Sequence, residues 1–154
     1  MSRYGQTSRA TCSAAQILFA CALLAANPAH AALGNQTGTA SSSTMLVLNG
    51  AAYERSYTDT GGTTVHEYSS ANGQVFAYTW HGPTAPDLHD LLGSRYTAYR
   101  DASTQARATR ADLHTQHVAS NDVVVESGGA MRAYLGRAWL PGQMPSGISI
   151  SDLQ

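Results

Sequence analysis

Apolar positions follow three different rhythms along the chain. They run almost unbroken from Ala14 to Ala26, alternate with polar positions from Ala52 to Trp80, and recur at helical spacing from Leu88 to Tyr99. Alternation predicts strands, and a 3.6-residue repeat predicts a helix. Ala52–Thr58 places Tyr53, Arg55 and Tyr57 on one side and Glu54 and Ser56 on the other. Gly61-Gly62 turns the chain into a second strand, Thr63–Ser69, and Asn72-Gly73 is a strong hairpin signal. A third strand, Gln74–Trp80, sets Phe76, Tyr78 and Trp80 against Val75, Ala77 and Thr79. His81-Gly82-Pro83 closes this meander. Pro86-Asp87 then opens a helix, since proline fits the first helical turn and an acid suits the N-terminal dipole. Its apolar stripe is Leu88, Leu91, Leu92, Tyr96 and Tyr99. Gly93 interrupts it at a cost of roughly 1 kcal/mol relative to alanine, which close packing against the sheet would explain. Arg95 lies inside the stripe, where it must snorkel or meet a carboxylate.

Ala102–Ser120 is polar and poor in large apolar residues, as expected of a long loop or a frayed helical extension. Asn121–Pro141 restores the strand pattern. Val123-Val124-Val125 leads to Gly128-Gly129, and a second run extends from Met131 to Leu140, predicting a hairpin that turns at the double glycine. In that register Glu126 and Arg132 lie near each other across the strands. Arg137 falls on the same side as Met131, Ala133, Leu135 and Trp139, so it is either paired inside or re-aimed outward by a bulge at Gly136. The expected fold is α+β: a small antiparallel sheet, made of a three-strand meander plus a C-terminal hairpin, with one amphipathic helix packed on it in the order β-β-β-α-β-β.

The first apolar run changes the picture of the whole chain. Arg3 and Arg9 precede it, Asn27-Pro28 ends it, and Ala29-His30-Ala31 supplies small residues at −3 and −1. This is the pattern of a cleaved export signal over residues 1–31, with cleavage after Ala31 and a periplasmic or secreted product. A lipoprotein processed at Cys21 is the alternative. The organisation that follows is a flexible leader over 32–51 with a short edge strand at Met45–Leu48, a single domain over 52–141, and a tail over 142–154.

Charge and composition narrow the chemistry. Both cysteines, Cys12 and Cys21, lie in the signal, so the exported chain has neither disulfide nor thiolate ligand. All nine cations are arginines, which removes Schiff-base chemistry. Seven arginines against ten acids give residues 32–154 a formal charge of −3, contrary to the basic face of a nucleic-acid binder. No segment after the signal is long and apolar enough to span a membrane.

Two blocks carry a resemblance. Trp80-x-Gly82-Pro83-x-x-Pro86-Asp87-Leu88-x-x-Leu91-Leu92-Gly93 is one, and Glu126-Ser127-Gly128-Gly129-x-Met131-Arg132-Ala133-Tyr134-x-Gly136-Arg137-Ala138-Trp139 is the more specific. With the leader ending Ala29-His30-Ala31-Ala32-Leu33-Gly34, they resemble a family of unknown function, number 2844, of short exported proteins from Burkholderia-like proteobacteria. The resemblance implies export and a small single domain, and it brings no catalytic residues.

Three constellations remain. His114-x-x-His117 is a metal-ligand spacing, with Asp112, His89 and Asp90 as further ligands, although solvated surface histidines show the same spacing. Ser127 before Gly128-Gly129 offers a nucleophile and an oxyanion hole, but the nucleophile-elbow pattern is missing because Val125 stands two before it. Arg137 with Trp139, Tyr134 and Arg132 makes an arginine–aromatic set suited to an anion or glycan. These readings point to a non-enzymatic binding or envelope-associated module without a cofactor, its partner an envelope protein, glycan or small anion. A small periplasmic hydrolase or metal-binding protein is the alternative.

Overall fold

The computed structural model describes residues 31–36, 44–109, 115–120 and 122–153. Of residues 1–31, expected to form an export signal, only Ala31 falls among them, and His114 and Asp112 lie outside them. Seven strands form one antiparallel sheet: β1 (Met45–Val47), β2 (Ala52–Thr58), β3 (Thr64–Ser69), β4 (Val75–Gly82), β5 (Thr115–Ser120), β6 (Val123–Ala130) and β7 (Ala133–Trp139). Their order in space is β1-β2-β3-β4-β7-β6-β5. The first four strands meander. The chain then crosses one face of the sheet through α1 (Leu88–Leu92) and α2 (Tyr96–Thr109), enters β5 at the far edge, and meanders back until β7 pairs with β4.

The expected three-strand meander plus hairpin is therefore corrected to a mostly β, seven-stranded sheet. The two members added to the expected sheet are its edges: β1, the short edge strand expected at Met45–Leu48 but placed in the leader, and β5, expected as loop. β1 pairs only with β2 and leaves Met45 and Leu46 exposed. β5 buries a single large apolar residue, Val118, so its sequence carries little alternation and reads as loop.

The helix expected as one piece is broken at Gly93. That residue has φ 55°, and a 3-10 turn over Gly93–Arg95 separates α1 from α2. The close neighbour is not the sheet: a Cβ on Gly93 would lie 2.7 Å from the Cβ of Ala32. The apolar stripe survives the break, with Leu91, Leu92 and Tyr99 buried in the main core beside Leu88 and Tyr96. Arg95 does meet a carboxylate, donating to Asp122 at 2.7 Å and to the Leu33 carbonyl at 2.7 Å.

Each face of the sheet has its own core. On the helix side, Val65, Val75, Tyr78, Trp80, Val118, Val123, Val125 and Ala138 pack beneath α1 and α2, joined by Ala31 and Leu33. On the other side, Ala52, Tyr68, Phe76, Ala77 and Trp139 are covered by Leu153, with Met144, Ile148 and Ile150 of the C-terminal segment against them. Phe76 thus lies opposite Tyr78 and Trp80, not beside them. A register shift at Tyr68/Ser69 pairs Tyr68 with Ala77 and Ser69 with Val75, leaving Phe76 as the extra residue of a bulge. Coverage on both faces explains why six consecutive residues of β4, Val75 to Trp80, are buried.

The hairpin also turns later than expected. Ala130 pairs with Ala133, so the two-residue turn is Met131-Arg132, and Arg132 carries φ 63° there. Gly128 and Gly129 instead lie within β6, opposite Leu135 and Tyr134.

Candidate functional site

The later turn re-pairs the charges. Glu126 stands opposite Arg137 on β7 and opposite His117 on β5. Arg137 donates through Nε to Glu126 Oε2 at 2.7 Å, and His117 Nδ1 lies 3.0 Å from Glu126 Oε1. Arg132, expected to partner Glu126, is exposed in the turn. Alternation holds through Gly136, with no bulge. Arg137 shares a face with Trp139, and its guanidinium carbon lies 5.7 Å from the indole centre. That face is not the helix-covered core. It is the second face, closed by the C-terminal segment at the Trp139 end only.

Where that cover stops, the sheet forms an open cleft of about 760 Å³. Thr79 and His81 of β4, Thr115 and His117 of β5, Glu126 of β6, and Leu135 and Arg137 of β7 contribute, and Leu153 forms one end. Cross-strand pairing aligns them: Thr79 lies opposite Arg137, and His81 opposite Leu135. Beyond β4 the polar surface continues, with His66 stacked on His81 at 5.8 Å between ring centres and bonded to Glu54 at 2.5 Å.

Electrostatics fix the protonation of the central carboxylate. Partial burial pushes the Glu126 pKa up, but hydrogen bonds from Arg137 and His117 and their charges outweigh it, and the net shift is downward. A carboxyl held below its ordinary pKa stabilises the fold above the unfolded value, and that contribution is lost as pH falls through the folded value. Glu126→Gln is expected to flatten the acid limb of Tm against pH below about pH 4, leaving Tm near neutrality less pH-dependent than the acid limb of the wild type. Superimposable acid limbs, measured by thermal denaturation at stepped pH, would refute this assignment.

Arg137 also donates to the Ile150 carbonyl at 3.2 Å, so it ties the C-terminal segment to the sheet. Gly136 keeps the sheet thin beside it. A Cβ there would lie 2.4 Å from Trp80 Cζ2 and 2.6 Å from the Glu126 carbonyl oxygen. Gly136→Val is expected to cost about 1–3 kcal/mol by overpacking, read as a lower urea midpoint, whereas an unchanged midpoint would mean that Trp80 is free to move.

The residues singled out from the sequence are dispersed. Arg137 lines the cleft. Trp139 lies beneath the C-terminal segment with 9% of its surface exposed. Tyr134 belongs to the other side of the sheet, in a smaller cavity of about 280 Å³ with Trp80, Tyr99 and Arg107. Ser127 alternates with Val123 and Val125 of the helix-side core, while His117 and Glu126 project on the opposite face. Ser127 nevertheless lines the cleft together with His81 and His117, as well as the smaller cavity. The sheet separates His117 from α1, which carries His89 and Asp90 and packs on the helix side. Among the described residues, three metal-ligating atoms come together at exposed Asp87, His89 and Asp90, where Asp87 caps α1 by accepting from the His89 amide at 2.8 Å. Thr79, His81, Leu135 and Leu153 escaped sequence reasoning. Only the long-range pairing of β4 with β7 brings them together.

The family described as Protein of unknown function (DUF2844) matches residues 13–153 of the chain, which therefore belongs to it. No curated protein and no solved structure matches. Among the described residues no helix is long and apolar enough to cross a membrane.

Proposed function

We propose that this member of the DUF2844 family is an exported, non-enzymatic binding module that takes an acidic saccharide of the cell envelope in the open cleft of its sheet. The cleft itself carries the reading. A volume of about 760 Å³ suits a short oligosaccharide, and its polar groups converge on one side of a preformed surface. Arg137 supplies a cation held in place by Glu126 and the Ile150 carbonyl. His81 and His117 add imidazole groups beside it, and Leu135 adds an apolar patch that is 62% exposed. A ligand with hydroxyls and a carboxylate complements that set, because a planar guanidinium and imidazoles satisfy oxygen acceptors. Export is supported by the three-part leader and the small residues before Ala32.

Titration calorimetry of residues 32–154 with soluble acidic envelope oligosaccharides tests the reading. Binding is expected to weaken about 3- to 10-fold in His81→Ala, the loss of one hydrogen bond, at unchanged Tm. His81 is exposed and its ring stacks on His66, so the variant is expected to leave the fold intact. Absence of heat up to about 1 mM ligand, or equal affinity in the variant, would overturn it.

A further inference from the structure

Residues 31–36, at the junction between leader and domain, are built into the fold. Leu33 is 1% exposed. Its amide donates to the Leu91 carbonyl at 2.8 Å, the Gly34 amide donates to the Val75 carbonyl at 2.7 Å, and Arg95 holds the Leu33 carbonyl. Ala32 sits over Gly93, where any side chain would collide with it. The peptide bond between Ala31 and Ala32 is thereby set against a buried polar cluster.

That cluster is out of balance. Glu67 is 1% exposed and Arg55 6%. Arg55 donates to Glu67 Oε2 at 2.9 Å, and the Tyr78 hydroxyl lies 3.0 Å from the same oxygen. The Tyr78 hydroxyl also meets the Ala31 carbonyl. A phenol has one proton to give, so it satisfies only one of these two acceptors. Glu67 Oε1 is buried with no partner among the described residues. Arg55 Nε is likewise buried without a partner, so the one spare donor of the cluster does not reach Glu67 Oε1, and the single Tyr78 proton leaves a further acceptor unserved. A buried carboxylate oxygen left unsatisfied is costly, so this arrangement calls for a cation or donor at the Ala31–Ala32 junction.

We infer that the Glu67–Tyr78 cluster is a receptor for the protein's own new N-terminus, the α-ammonium of Ala32 released when the leader is cut off. The inference rests on the reading of residues 1–31 as a cleaved export signal. In the cut, catalysed by a leader peptidase, water adds its hydroxyl to the Ala31 acyl carbon and its proton to the Ala32 nitrogen as the C–N bond breaks. The Ala31 carboxylate leaves with the leader, and the Ala32 amine takes up one more proton from solvent. A single hydrolysis removes the surplus acceptor and places a three-proton donor one covalent step from where the Ala31 carbonyl stood. Tyr78 is then free to donate to Glu67, and the ammonium to bond the Tyr78 oxygen and the Glu67 carboxylate. Processing in this way completes the core, and the domain reaches full stability only after export.

The absence of lysine makes the test direct, because an amine-reactive ester labels no side-chain amine in the chain. Residues 32–154 are released from an N-terminal fusion by a protease that leaves Ala32 first, and labelling is followed by mass spectrometry. The folded chain is expected to label at least about tenfold more slowly than the same chain in urea, the change that one unit of amine pKa produces. A chain starting at His30 is expected to label at the unfolded rate and to melt lower. Glu67→Gln is expected to restore fast labelling to the chain starting at Ala32, and the His30 chain preserves the comparison if that variant does not fold. Equal labelling of the Ala32 and His30 chains, with equal Tm, would overturn the receptor. Terminal sequencing of protein recovered from the periplasm separates the two claims: Ala32 as first residue supports the processing, and any other first residue overturns it whatever the labelling shows.

Discussion

Arg55→Ala is expected to lower the free energy of unfolding by about 3–5 kcal/mol, the cost of stranding one member of a buried ion pair. The pair spans β2 and β3, where Arg55 lies opposite Glu67 in register. Both side chains are nearly inaccessible, at 7% and 1% of their side-chain surface. Removal of the guanidinium leaves the Glu67 carboxylate among Tyr57, Tyr78 and the helix-side core. Burial first, and the Glu67 charge second, already push both phenol pKa values far up, so the phenols cannot relieve the carboxylate by ionising. Urea denaturation of the variant checks the magnitude. A loss below about 1 kcal/mol, the range of a surface pair, would mean that water reaches Glu67. The double variant Arg55→Met, Glu67→Leu is expected to recover most of the loss, since apolar replacement of a buried pair is often neutral.

Deletion of residues 144–154 is the second large effect expected. Leu153 is 4% exposed and closes the core of Phe76, Tyr68, Ala52 and Trp139. Burying one leucine contributes about 1.5–3 kcal/mol, and partial burial of Met144, Ile148 and Ile150 brings the expected loss to about 4 kcal/mol. The Arg137 contact with the Ile150 carbonyl is lost as well. The truncated protein should bind a hydrophobic dye and show increased Trp139 exposure by fluorescence quenching. A truncated chain with wild-type Tm would show that this face of the sheet does not need its cover. The last turn is held by its own capping box, Ser149 with Asp152, so the segment forms a defined strap.

How far the fold can be read from the sequence depends on whether a strand has one covered face or two. The helix stripe faces a single core, and the residues expected there are found there; β2 and β3 alternate as expected but also place Ala52 and Tyr68 in the second core. β4 is covered on both faces and contains a bulge, so the side assigned to Phe76 comes out opposite. β5 is an edge with one buried large side chain and leaves little hydrophobic pattern, whereas the apolar run of edge strand β1 marked it in the sequence. The turn at Met131-Arg132 was hidden by Gly128-Gly129, two glycines that serve close strand packing instead of a turn: a Cβ on Gly129 would lie 2.6 Å from the Ala133 carbonyl oxygen. That shift of the turn decides the site. It exchanges Arg132 for Arg137 as the partner of Glu126 and brings His117 alongside. The uncertainty over Arg137 resolves into both roles at once, because it is paired with Glu126 and still lines an open surface. It faces a second side of the sheet that sequence alternation had treated as core. His81 and Thr79 carried no local signal, since their place in the cleft comes from a β4–β7 pairing across more than fifty residues.

The central claim is that the open half of this second face is the binding surface. Amide chemical-shift mapping of residues 32–154 during titration with an acidic envelope oligosaccharide tests it most directly. The account predicts perturbations confined to Thr79, His81, His117, Glu126, Leu135 and Arg137, with Tyr134, Tyr99 and Arg107 on the helix side unmoved. Perturbations centred on the Tyr134–Arg107 cavity, or none at saturating ligand, would contradict it.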